Sequence, residues 1–178
     1  KARAGDFCID PDRIIVMGES AGATYACLAG VTAGEERYEG REYRDFNSSV
    51  AAVVDFYGPV DFSVPAICRD GVPHPWTVRA FLGKDTEEQN APLASAVNYV
   101  NENTPPFMIL HGAEDRTVPI TQSEALYQKL CEHQVPVEYL VLEGAPHGDP
   151  LFFQNEVKER VLDFLDRAVF IDFSLNNR

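Results

Sequence analysis

Three side chains in this sequence have the types and order needed to split an ester by nucleophilic attack. Ser20 stands in Gly18-Glu19-Ser20-Ala21-Gly22, Asp115 in the loop His111-Gly112-Ala113-Glu114-Asp115-Arg116-Thr117-Val118-Pro119, and His147 in Glu143-Gly144-Ala145-Pro146-His147-Gly148. A serine hydroxyl is a weak nucleophile until a base within hydrogen-bond reach takes its proton. An imidazole does this when a carboxylate holds it in the right tautomer. The chain order nucleophile, acid, base is one of the orders in which such a triad occurs.

Each residue needs an element to present it. The apolar run Ile14-Ile15-Val16-Met17 predicts a strand over 14–17, and the small residues from Ala21 onward predict a helix over 20–31. Ser20 then sits on a sharp strand-to-helix turn, where flanking glycines without Cβ atoms let strand and helix approach. The first free N–H groups of the helix, beginning with that of Ala21, point at an oxyanion forming beside Ser20. Glu19 is expected to turn away from the reaction and make a structural hydrogen bond. Phe107-Met108-Ile109-Leu110 predicts a buried strand after Pro105-Pro106, and 137–142 another, so that Asp115 and His147 both follow strands.

With a further strand over 50–57 and helices over 78–82, 121–133 and 154–169, strand and helix alternate along the chain. That pattern predicts an α/β fold with a mostly parallel sheet and helices on both faces. In the last helix Val157, Val161, Phe164, Leu165 and Ala168 fall on one stripe. Residues 34–49 are polar and read as an exposed loop. One domain is expected over 1–178, with a proline-rich, cap-like insertion at about 58–103 carrying Trp76 and Phe81. Trp76, Phe81 and Phe152 are the candidates for lining a substrate pocket, with one of Phe152 and Phe153 expected in the core.

The formal net charge of -13 argues against nucleic acid, whose binding needs clustered Lys and Arg. The acidic excess reads as a solvated surface. Cys8, Cys27, Cys68 and Cys131 lack metal-site spacing and read as unpaired thiols; no metal or organic cofactor is indicated. No run has the length of a membrane span, and the first residues do not resemble a signal peptide. A soluble protein is expected, without a choice between cytoplasm and secretion.

The elbow with Ile9-Asp10-Pro11-Asp12-Arg13 before it, Val53-Val54-Asp55-Phe56-Tyr57-Gly58-Pro59-Val60-Asp61-Phe62, the Asp115 loop with Val118-Pro119, and His147-Gly148 before Phe152-Phe153 together resemble the α/β-hydrolase superfamily. Within it the likeness is to the carboxylesterase and lipase branch, near bacterial feruloyl-esterase-like enzymes. The resemblance implies a serine carboxylesterase acting on small acyl or aryl esters, with Ser20 as nucleophile, His147 as base, Asp115 as acid and Ala21 in the oxyanion hole. It favours Asp115 over Asp61, which also follows a strand. The family's first strands and its His-Gly-Gly-Gly type loop have no counterpart here. The fold is therefore expected to be N-terminally incomplete, and a complementary N-terminal segment or a homo-oligomer is expected to cover the strand at Ile14. Two other readings stand beside this one: a catalytically silent fragment or interaction subunit lacking its oxyanion loop, and a peptidase of the prolyl-oligopeptidase kind. The latter usually has an aromatic residue and Tyr-Gly-Gly at its elbow, where this chain has Glu19 and Ala21.

Overall fold

The structure is a computed structural model that describes residues 1–84 and 86–170. In chain order the elements are α1 (Ala4–Phe7), β1 (Ile15–Glu19), α2 (Ala21–Val31), β2 (Ala52–Phe56), β3 (Cys68–Arg69), β4 (Val72–Pro73), α3 (Pro75–Leu82), α4 (Glu87–Ala94), β5 (Phe107–Gly112), α5 (Thr121–Glu132), β6 (Val137–Leu142) and α6 (Asn155–Phe170), with short 3-10 turns at Ala96–Asn98 and Pro150–Phe153.

β1, β2, β5 and β6 form one parallel sheet in that order. β2 and β5 are buried along their whole length because helices cover both faces. Side-chain alternation divides the core. Val53, Phe107 and Ile109 pack with Cys27 of α2 and Leu126 and Leu130 of α5 on one face. Val54, Phe56, Met108 and Leu110 pack with Val157, Val161 and Phe164 of α6 on the other. The stripe expected on the last helix is thus the face it buries.

Besides the short α1, which was not expected, and shifted ends of β1 and α3, two parts of the fold differ from expectation. β5 runs beyond Leu110 through His111 and Gly112, because these pair with Val141 and Leu142 of β6. The insertion between β2 and β5 holds an antiparallel hairpin, β3 with β4, and a helix, α4, that the sequence pattern did not predict. Two-residue strands carry no periodicity, and α4 contains Pro92 and buries none of its residues. Residues 34–49 contain neither helix nor strand, as expected. All four cysteines are free. Among the described residues no helix is long and apolar enough to cross a membrane.

Asp55 lies at the centre of the sheet with 0% exposure. Its Oδ1 accepts from the Gly58 N–H at 2.8 Å, and Oδ2 has no partner among the described residues. Burial pushes its carboxyl up to about 7, against the lowering effects of the Gly58 N–H and the Cys27 thiol. A carboxyl raised in the folded state binds more protons there than in the unfolded chain, so stability falls as pH rises from the free-carboxyl range to about 7. Each unit of that separation is worth about 1.4 kcal/mol. Asp55→Asn keeps an acceptor for Gly58 and removes the charge. Urea unfolding at pH 5, 6, 7 and 8 should show a decline in parental stability up to pH 7 that the Asn variant lacks; equal slopes would refute it.

Candidate active site

The turn between β1 and α2 puts Ser20 at φ 51° and ψ -120°. A non-glycine residue is strained there, by roughly 1–3 kcal/mol, and the surroundings must hold it. The Ser20 N–H does so by donating to the Phe56 carbonyl at 2.9 Å, which ties the turn to the end of β2. Gly18 is required for the turn, since a Cβ there would run into the carbonyl of Gly22. The expectation that both glycines serve this packing is corrected for Gly22, where a Cβ would meet nothing within 4 Å.

Asp115 and His147 leave the C-terminal ends of the adjacent strands β5 and β6. Their loops are bound to each other: the Ala113 N–H donates to Leu142 O at 3.0 Å and the Glu114 N–H to Ala145 O at 3.1 Å. Gly112 permits this, because a Cβ on it would strike the Ala145 carbonyl. The three side chains named from sequence meet. His147 Nε2 lies 3.0 Å from Ser20 Oγ, and Nδ1 lies 2.6 Å from Asp115 Oδ2. A carboxylate only accepts, so Nδ1 carries the proton and Nε2 faces the serine with its lone pair.

The Asp115 side chain has 0% exposure and that of His147 21%. Burial alone would raise the Asp115 carboxyl. The hydrogen bond from His147 and those from the Val118 and Thr117 N–H groups to Oδ1 outweigh it and hold the carboxyl below its ordinary value. Asp61, the other aspartate after a strand, is engaged elsewhere: its Oδ1 accepts from the N–H and hydroxyl of Ser63. The Ala21 N–H opens α2 beside Ser20, among the helix-end donors that have no intrahelical acceptor.

Tyr57 was not singled out from sequence. It is 1% exposed at φ 47°, its hydroxyl donates to Glu19 Oε2 at 2.9 Å, and its ring lies 4.8 Å from that of His147. One side chain therefore links the residue before Ser20 to the imidazole that must reach it. The only signal for it was the Tyr-Gly-Pro that ends the β2 run.

Phe152, expected to line the pocket, is corrected to the core. It is 1% exposed and packs 4.6 Å from Tyr57, while Phe153 is the exposed member at 46%. The 3-10 turn over Pro150–Phe153 turns the first ring inward. Phe81 stacks on Phe62 at 5.3 Å and lies 5.7 Å from Tyr25 on α2. Trp76 is 64% exposed, with its indole N–H donating to His74 Nε2 at 2.8 Å. The insertion reaches the acid loop through its hairpin, where the Cys68 N–H donates to Thr117 O at 2.6 Å and the Gly71 N–H to Arg116 O at 3.3 Å. Within the insertion a groove of about 370 Å³ is lined mainly by apolar side chains, among them Phe62, Val64, Pro65, Val78, Leu82 and Ala91. No group of His, Cys, Asp or Glu among the described residues is placed to hold a metal ion.

Residues 1–130 match the family described as BD-FAE. Among curated proteins the chain is similar to Esterase LipC of Mycobacterium tuberculosis, at 32% identity over 83% of this chain and 38% of that protein. It is also similar to Esterase LipQ of the same organism, at 33% identity over 90% of this chain and 39% of that protein. The chain thus spans well under half the length of these relatives. Among solved structures, a truncated form of a carbohydrate esterase from gut microbiota superposes with a TM-score of 0.79 at 27% identity, over 94% of this chain and 64% of that one. The carboxylesterase Cest-2923 from Lactobacillus plantarum does so with a TM-score of 0.67 at 25% identity, over 94% and 58%.

Proposed function

Since the chain belongs to the BD-FAE family, a family of α/β-hydrolase carboxylesterases, we propose that it carries the catalytic centre of a serine carboxylesterase, with Ser20, His147 and Asp115 as its triad and small acyl or aryl esters as its substrates. The observation that carries this reading is the single line of hydrogen bonds from Ser20 Oγ through both nitrogens of His147 to Asp115.

In this mechanism Ser20 Oγ attacks the ester carbonyl carbon while His147 Nε2 takes its proton. The carbonyl oxygen becomes an oxyanion that the Ala21 N–H stabilises. Collapse of the tetrahedral intermediate expels the alcohol, which receives the proton from His147, and leaves an acyl-serine. Water then gives its proton to Nε2 and attacks the acyl carbon, and the second collapse returns the proton to Ser20 and frees the acid. Asp115 stays ionised and stabilises the imidazolium in both halves. Phe81, which stacks within the insertion and approaches α2, is proposed to border the pocket. Trp76, on the same helix, is proposed to do so from its outer side.

The outer edge of β1, with Met17 55% exposed, is proposed to pair with a complementary segment or a second copy of the chain, since unpaired strand edges recruit partners.

A fluorophosphonate that modifies activated serines tests the reading. Peptide mapping should find one adduct, on Ser20. A folded chain that takes up no label, or one labelled on a residue other than Ser20, would refute it.

A further inference from the structure

Two histidines face Asp115, and the mechanism uses only one. The other, His111, is 0% exposed near the end of β5, as is Ser123 on α5 beside it. His111 Nε2 lies 2.9 Å from the Val118 carbonyl oxygen and 3.5 Å from Asp115 Oδ2, and Nδ1 lies 2.7 Å from Ser123 Oγ. A carbonyl can only accept, so Nε2 carries a proton. Burial, with His147 nearby, holds the imidazole below its ordinary value against the raising effects of the Val118 carbonyl and Asp115, which favours the form carrying that proton alone. Nδ1 is then a lone pair, and the Ser123 hydroxyl donates to it. The tautomer is fixed by two partners that are both buried or part of the backbone.

Val118 is also the residue whose N–H donates to Asp115 Oδ1 at 2.9 Å. His111 therefore grips the acid loop at the residue whose N–H cradles the carboxylate, and turns its own N–H dipole toward the oxygen that receives His147. At 3.5 Å this is an electrostatic contact rather than a second hydrogen bond.

We propose that His111 and Ser123 form a positioning pair for the triad, in which the buried His111 N–H both fixes the Asp115 loop and takes up part of the charge on Asp115 Oδ2. The line of contacts then runs Ser20, His147, Asp115, His111, Ser123, with the carboxylate shared between two imidazoles. The part that concerns catalysis rests on the esterase reading; the electrostatic part does not.

The other ionisable groups near these residues are Tyr57, within electrostatic reach of Asp115, and Glu124, within reach of His111. Neither changes in the variants below. Without the His111 N–H, more of the carboxylate charge is left for His147, so the imidazolium holds its proton to higher pH. Loss of packing alone would lower the rate without moving that midpoint upward.

His111→Leu removes the donor, His111→Gln keeps an N–H near the Nε2 position, and Ser123→Ala unlocks the tautomer. Two quantities are read on the full chain: p-nitrophenyl acetate hydrolysis from pH 5 to 9, and the NMR titration of His147, which needs no turnover. For His111→Leu we expect kcat to fall about tenfold with KM within about twofold, and the NMR midpoint of His147 to rise by about half a unit. His111→Gln should restore the midpoint, and Ser123→Ala should raise it by less than Leu does. An unchanged midpoint in His111→Leu, or in Ser123→Ala should the Leu variant not fold, overturns the proposal even where hydrolysis stands. A raised midpoint in a chain without hydrolysis upholds it while the esterase reading fails.

Discussion

Ser20→Ala should lower kcat for p-nitrophenyl acetate by about 10⁴-fold or more, the loss seen when a triad nucleophile is removed and only binding and oxyanion contacts remain. The substitution takes away the one atom proposed to form the acyl-enzyme and leaves its surroundings in place. The Ser20 N–H still donates to Phe56 O, and alanine at φ 51° is no more strained than serine. His147 loses its contact at Nε2 but keeps Asp115 at Nδ1. Thermal unfolding should therefore be nearly unchanged, which separates lost chemistry from lost fold. Because nucleophile and base act as a unit, Ser20→Ala combined with His147→Ala should be no worse than Ser20→Ala alone. Parent chain and variant hydrolysing at rates within tenfold of each other would show that the turnover arises elsewhere.

That Ser20, Asp115 and His147 would meet was legible in the sequence because each follows an apolar run and is bracketed by glycine or proline, so local residues alone mark it as a strand end. What tertiary pairing decides was hidden. His111 read as the first loop residue after Leu110; only its pairing with Val141 of β6 draws it into the sheet and buries it. Tyr57 looked like the last apolar residue of its strand, and neither its positive φ nor the approach of its ring to His147 has a signature in composition. Phe152 and Phe153 are adjacent aromatics, and a turn rather than a period selects which faces inward. The hairpin and α4 were missed for a related reason. Backbone bonds from Cys68 and Gly71 to the acid loop fix the hairpin, and α4 is held by the partial burial of Ala91 and Ala94 against Phe62, Ala66 and Leu82.

Asp115→Asn should cost about 10⁴-fold in kcat while leaving the fold intact, and the reason lies in which oxygen the backbone claims. Oδ1 accepts from the Thr117 and Val118 N–H groups at 2.8 and 2.9 Å. An asparagine must therefore keep its carbonyl on that side, since turning the amide would set an NH₂ against two donors. The NH₂ then faces His147, where Oδ2 had received the Nδ1 proton at 2.6 Å. Two donors cannot share that line, so the neutral imidazole shifts its proton to Nε2 and presents an N–H to Ser20. A base in that tautomer cannot take the serine proton. The same NH₂ would also meet the His111 N–H, 3.5 Å from the replaced oxygen, which adds to the misfit without freeing the amide to turn. Steady-state hydrolysis and fluorophosphonate labelling should fall together, because both need the activated serine. Asp61→Asn is the control, and its activity should stay within about twofold of the parent, since Asp61 Oδ1 serves Ser63. Full labelling of the Asp115→Asn chain at the parental rate would mean that His147 is oriented by some other group.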